Sequence, residues 1–291
     1  MAKTYANAAA FLAALSEHLR KAAEKRNVSI ASLRDKLAIE RLLARLFHEE
    51  NPPWLLKGGY SMELRFRPKA RTTRDIDLAV IRPKAGHRGE SQSEVIHEAL
   101  QDAAAIDLAD FFEFHIEPEE KKIKGAPGGG GMFKVLALVD GREFTRFRLD
   151  VGFGDPVIGE GELLEGDNLL DFAGIAPAKA MAISMEQQFA EKIHAYTVEW
   201  SDRENTRQKD LVDIVVLIER GRLDPAALRH ALQETFYTRA RQELPAHLSP
   251  PPESWAKKFP EMSEEAGTST KDLAAAFEVL DSYWKLNQLG Q

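Results

Sequence analysis

The sequence predicts an α+β fold, a mixed β-sheet flanked by helices and followed by a helical C-terminal region. Three observations carry this reading. Apolar residues recur at helical spacing near the start and through the last third of the chain. Segments with strand-like alternation cluster in the first two thirds. An Asp140-Gly141 pair between two such segments marks a hairpin.

Residues 6–49 read as two helices. Ala8, Phe11, Leu12, Leu15 and Leu19 line one, and Leu33, Leu37, Leu42, Leu43 and Leu46 line the other, with Asn27-Val28-Ser29 between them. Asn51-Pro52-Pro53 closes this unit. Trp54–Gly59 reads as a short strand or entry turn, Tyr60–Phe66 as a short helix and Arg74–Arg82 as a strand. Ser91–Ala105 is a helix with Val95, Ile96, Leu100 and Ala104 on one side, and Phe111–Glu117 alternates like a strand. The glycine-rich stretch 125–131 reads as a flexible loop. It lacks the strand–glycine–helix setting and the Gly-Lys-Ser/Thr ending of a P-loop. Phe133–Val139 and Glu143–Phe153 form the hairpin. Gly152–Asp171 is rich in glycine and acids and reads as loop. Ser184–Trp200 and Lys209–Arg220 are helices separated by the polar turn Ser201–Asn205, and the remainder is helical apart from a break at Ser249-Pro250-Pro251-Pro252. The expected division is an α/β core with its N-terminal helices over residues 1–175 and a helical domain over 176–291.

Composition narrows the class. The chain has 291 residues, a net charge of −7 and no cysteine. Zero cysteines exclude disulfides, thiolate metal sites and a cysteine nucleophile. No apolar run is long enough to span a membrane. The segment Met1–Tyr5 has no signal-like apolar stretch, so a bacterial-type cytosol is the expected setting. The acidic balance argues against a surface coated for nucleic acid. It is uneven, however. Between Arg65 and Arg88 lie eight basic residues (Arg65, Arg67, Lys69, Arg71, Arg74, Arg82, Lys84 and Arg88) and only two acids, Asp75 and Asp77. Such a run is a solvated basic face or, beside a carboxylate pair, a place for phosphates.

Those two acids carry the chemistry. Side chains alternate across a strand, so Asp75 and Asp77 share one face while Ile76, Leu78 and Val80 anchor the other. Two carboxylates on one face attract a hard cation such as Mg²⁺. Just upstream, Lys57-Gly58-Gly59-Tyr60-Ser61 offers a glycine turn whose N–H groups can approach a phosphate. In Phe147–Phe153, Asp150 shares a face with Arg146 and Arg148. If this strand lies beside the first, Asp150 is a third carboxylate, and the set could hold two Mg²⁺ ions. Otherwise Asp150 is a surface acid opposing Arg148. Further on, Gln188, Lys192 and Tyr196 align on a helix, and Asp210 and Asp213 share a face of the next. Lys192 could bind triphosphate oxygens and an aspartate could orient it. An ordinary ion pair between packed helices is the plain alternative.

The glycines, the D-x-D strand and Asp150 resemble the nucleotidyltransferase superfamily that includes DNA polymerase β. Tyr60 precedes Ser61, a departure from the commonest Gly-Ser form of that motif. Four segments in order sharpen the match: Lys57-Gly58-Gly59, Arg71-Thr72-Thr73-Arg74-Asp75-Ile76-Asp77-Leu78, Glu191-Lys192-Ile193-His194-Ala195, and Arg207-Gln208-Lys209-Asp210-Leu211-Val212-Asp213-Ile214. Together they resemble the AbiEii/MenT family of nucleotidyltransferase toxins over residues 54–220. The resemblance implies an active site of Asp75, Asp77, Lys192 and Asp213. It implies Lys57, Gly58, Gly59, Ser61, Lys192 and Arg207 toward the nucleotide, and Mg²⁺ or Mn²⁺ on Asp75, Asp77 and Asp150. Asp210 matches a further motif position, and Thr73 matches a hydroxyl position that inhibitory modification could target. The resemblance also implies an NTP substrate, an RNA acceptor at the tRNA 3′ end and a cognate antitoxin. The same chemistry on a protein or small-molecule hydroxyl is an alternative, and an inactive nucleotide-binding module is another. His194, two positions from Lys192, reads as a packed residue, and Trp54, Trp200, Trp255 and Trp284 read as core anchors.

Overall fold

A computed structural model of the chain describes residues 5–67, 73, 75–82, 91–118, 121–123, 126–199, 204–240 and 242–290. Helices α1 (Ala8–Arg26) and α2 (Ile30–Leu46) open the chain as expected. Asn7 caps the first by accepting the Ala10 N–H, and Asn27 stops it in the left-handed region at φ 53°. Strand β1 (Trp54–Lys57) runs straight into α3 (Gly58–Phe66). The two glycines are therefore the first turn of a helix, two residues earlier than the periodicity indicates. Next come β2 (Asp75–Val80), α4 (Gln92–Ala104, with a Ser91–Glu94 capping box) and β3 (Phe112–Ile116).

The hairpin is β5 (Gly130–Val139) with β6 (Arg142–Phe153), preceded by the short β4 (Lys121–Lys122). Asp140 and Gly141 both have positive φ, as a two-residue type I′ turn requires. Strand β5 starts three residues before the expected point and takes in Gly130 and Gly131, which the sequence assigns to a loop. Gly130 lies opposite Gly152, and a Cβ on it would come within 2.3 Å of the Val151 carbonyl oxygen. The glycine serves close strand approach rather than flexibility. The stretch assigned to loop after residue 152 also holds a strand, β7 (Glu162–Glu165). It pairs with β8 (Lys179–Ala182), equally unannounced in the sequence.

The sheet runs β3-β5-β6-β2-β1-β8-β7, with β4 paired to β5. It is mixed: β2 lies parallel to β6 and β1 parallel to β8, and the other pairs are antiparallel. Its apolar face packs on α1, α2 and α4 through Phe11, Leu37, Leu78, Leu100, Phe133 and Leu149. Each fully buried Leu or Phe is worth roughly 2 kcal/mol, so this face anchors the strands and leaves the opposite face free to carry acids. Beyond the sheet come α5 (Met185–Thr197), α6 (Gln208–Arg220), α7 (Pro225–Arg239), α8 (Phe259–Ala266) and α9 (Leu273–Leu286). They share a second core built on Phe189, Leu211, Leu232, Phe259 and Leu280, joined by Met62 of α3. Strand β8 lies past residue 176, where the sequence places the start of the helical region. Trp54, Trp255 and Trp284 are buried with their indole N–H groups on backbone carbonyls. Trp200 lies outside the described residues. Among the described residues, no helix is long and apolar enough to cross a membrane.

Candidate active site

The pairing of β2 beside β6 meets the condition that the alternation left open. Across β1, β2 and β6, one register row reads Lys57, Asp77, Asp150. All three line a cleft of about 770 Å³ between the sheet and the helices α5 to α7. Asp75 opens β2 one pleat earlier, opposite Arg148, and is exposed.

Gly58 makes room for this row. It stands at φ 66°, and a Cβ there would lie 1.8 Å from Asp77 Oδ2. The carboxylate therefore rests over a bare α-carbon. Lys57 is the N-cap of α3 and supplies no capping side chain, so the first N–H groups of the helix, at Gly58 and Gly59, have no side-chain acceptor and border the cleft.

Crowded acids give the row its electrostatics. Burial pushes the Asp77 carboxyl up, with Asp75 and Glu191 adding to the push and Lys57 and Lys192 pulling back, to about 6. Burial, then Asp77 and Asp75, push Asp150 up to about 7 against the pull of Arg148. Asp150 Oδ1 is buried and has no hydrogen-bond partner among the described residues. Such a pair suits a hard cation, which would supply the missing partner and relieve the repulsion. Among the described residues, though, no three acid or imidazole side chains are already gathered tightly enough to hold a metal ion.

The helical wall carries Lys192, buried on α5. Its Nζ donates to Asp213 at 2.6 Å and to Asp210 at 3.2 Å, both on α6. Asp213 is itself buried behind the lysine, and Asp210 borders the cleft. Arg207 stands at the start of α6, half exposed, with its guanidinium 3.9 Å from Asp210.

Two expectations need correcting. Ser61, read as a phosphate ligand, is fully buried: its hydroxyl lies 2.8 Å from Gln188 Oε1 and 2.9 Å from the Gly58 carbonyl. Because the helix begins at Gly58, Ser61 falls one turn in and faces away from the cleft. Of the basic run, Arg65 is spent on Glu162 at 2.7 Å and on the Ile183 carbonyl, and Arg67 on the Glu165 carbonyl. Lys69, Arg71, Arg74, Lys84 and Arg88 lie outside the described residues, and Arg82 is exposed. The backbone N–H of Thr73 donates to Glu63 at 3.2 Å. His194 packs edge-on against Phe236, 5.0 Å between ring centroids, which fits a packed histidine.

Sequence reasoning missed a buried ion network on the same wall. Lys57 contacts Asp155 and lies 3.5 Å from Glu191, and Arg239 contacts Asp155 at 2.9 Å and Glu191 at 3.1 Å. It joins β1, the turn after β6, α5 and α7. The partners come from four distant stretches, and no local pattern marks them.

Comparison with solved structures gives the fold. The chain has the fold of MenT4, a nucleotidyltransferase toxin from Mycobacterium tuberculosis, with a TM-score of 0.57 over 94% of this chain and 88% of that one, at 15% identity. No curated protein matches the chain by sequence. The family model described as nucleotidyl transferase AbiEii toxin of a type IV toxin–antitoxin system matches residues 41–284, and the chain belongs to that family of nucleotide-transferring enzymes.

Proposed function

We propose that this enzyme transfers a nucleotide from an NTP to an RNA hydroxyl, the tRNA 3′ end. It acts in the cytoplasm, where the transfer blocks translation until a cognate antitoxin counters it. The observation that carries this reading is the row Lys57–Asp77–Asp150 facing Lys192 across the cleft. Gly58 and Gly59 offer N–H groups at a helix N-terminus to the triphosphate, where the helix dipole favours an anion. Lys192 approaches it from the helical wall, aimed by Asp213 and Asp210. Arg207 stands at the cleft edge, within reach of the nucleotide.

Asp77 and Asp150, with Asp75 at the rim, would hold Mg²⁺ or Mn²⁺. Such an ion neutralises phosphate charge and lowers the pKa of an attacking hydroxyl. Asp150, beside Asp77 in the cleft lining, is placed to accept the hydroxyl's proton. Asp77 is held against Gly58 and orients the reacting end.

The net charge of −7 and the internal use of Arg65 and Arg67 favour a second reading, with the acceptor hydroxyl on a protein or small molecule. Incubation of α-labelled NTPs with total RNA and with total protein separates the two. Label in RNA supports the tRNA reading, and label in protein alone overturns it.

A further inference from the structure

We propose that Gln188 is a positioning residue that sets the spacing between the acid row of the sheet and Lys192 on α5. The inference rests on the reading of Asp77 and Lys192 as active-site residues. Gln188 is almost fully buried, one helical turn before Lys192 and on the same face of α5. Its Nε2 donates to the Gly58 carbonyl at 2.9 Å, and its Oε1 accepts the Ser61 hydroxyl at 2.8 Å. One side chain thus grips the first turn of α3 at both a carbonyl and a hydroxyl.

What it grips matters because of Gly58. The Asp77 carboxylate packs on that residue's α-carbon. Holding the Gly58 carbonyl fixes the peptide on which Asp77 rests. The fixing atom belongs to the helix that carries Lys192, so the sheet side and the helix side of the cleft are tied together one helical turn from Lys192. Otherwise these parts pack into two apolar cores, bridged by Met62 of α3 and by the ion network of Lys57, Asp155, Glu191 and Arg239, neither of which holds the Gly58 peptide. The neighbouring Gln187 is an internal contrast. It is equally buried, but its amide bonds the backbone of residues 156 and 158 and, at 3.3 Å, Glu191 Oε1, with no hydrogen bond to the first turn of α3.

The test uses the full chain with Gln188→Met, Gln188→Glu, Gln187→Met and Asp77→Asn. Gln188→Glu keeps the acceptor for Ser61 and faces the Gly58 carbonyl with an oxygen that donates only when protonated, so it is assayed at pH 8. Transfer is measured for kcat and for KM of the NTP, alongside the thermal midpoint. A misplacement of about 1 Å costs about 100-fold in rate, so both Gln188 variants are expected to lose about 30- to 100-fold in kcat with KM changed less than about threefold. Gln187→Met is expected to lower the midpoint while keeping kcat within about threefold. The proposal is overturned if Gln188→Met folds and keeps kcat within about twofold. It is equally overturned if Gln187→Met and Gln188→Met lose rate together in proportion to stability. Full activity of Asp77→Asn would instead sink the reading of the site on which the proposal rests.

Discussion

Replacing Gly58 with alanine should damage activity far more than stability, and the structure gives the size of each effect. The new Cβ would lie 1.8 Å from Asp77 Oδ2. The carboxylate must withdraw by about 1.6–2 Å before reaching ordinary contact distance. Gly58 also stands at φ 66°, where a residue with a side chain costs about 1–2 kcal/mol. Gly141, in the β5–β6 turn, has nearly the same φ, 65°, with no atom within 4 Å of a built Cβ. Gly141→Ala therefore measures strain alone. Gly141→Ala should lose about 1–2 kcal/mol in urea denaturation, and Gly58→Ala that much plus the cost of shifting Asp77. Only Gly58→Ala moves Asp77, and it should lose about 100-fold in transfer rate, while Gly141→Ala stays within about threefold of the parent. Equal stability losses with equal, near-parent rates in the two variants would refute the claim that Gly58 seats the reacting carboxylate.

Lys192→Met removes the cation held by Asp210 and Asp213. It should cost about 3 kcal/mol in chemical denaturation as well as activity, and adding Asp213→Asn should recover part of the stability. A single variant as stable as the parent would contradict a buried pair. Mg²⁺ or Mn²⁺ should raise the thermal midpoint at pH 8, by the equivalent of about 2.7 kcal/mol at a hundredfold excess over Kd. The shift should shrink at pH 6, because Asp77 at about 6 and Asp150 at about 7 then carry protons, and it should vanish in Asp77→Asn/Asp150→Asn. A third test lies far from the cleft, where Arg45 and Arg41 grip the buried Asp110 at 2.7 and 2.6 Å. Burial raises that carboxyl, but the two arginines outweigh it and hold it below its ordinary value. Its stabilisation is therefore complete above about pH 4 and is lost as the pH falls through the lower folded value. Asp110→Asn should cost about 3 kcal/mol at pH 7 and flatten the acid limb of the stability curve.

The long amphipathic helices and the hairpin were legible because each satisfies a local period and carries a turn or cap signal, as at Ser91 and at Asp140-Gly141. The faces of Asp77 and Asp150 were legible for the same reason. Their adjacency was not, because β2 and β6 are parallel and lie some sixty residues apart, with β3 and β5 between them in sequence. Strands β7 and β8 went unread because each is four residues long. The Lys-Ala-Met-Ala of β8 has no β-branched residue, and the Leu163 of β7 is exposed. Ser61 faces inward because the glycine pair, which reads as a strand end or entry turn, forms the first turn of a helix. That single shift of register turned a supposed phosphate ligand inward. The network of Lys57, Asp155, Glu191 and Arg239 depends wholly on tertiary packing: Lys57 and Glu191 stand in motifs that say nothing of their pairing, and Asp155 and Arg239 look like ordinary surface charges in the sequence.

The most direct test of the central claim is the mass of the tRNA 3′-terminal fragment after incubation with the purified chain and each NTP in turn, in the presence of Mg²⁺. The account predicts a fragment heavier by one or more nucleotides, dependent on the NTP and absent with Asp77→Asn. An unchanged fragment alongside label on protein, or an equal mass gain with Asp77→Asn, would contradict it.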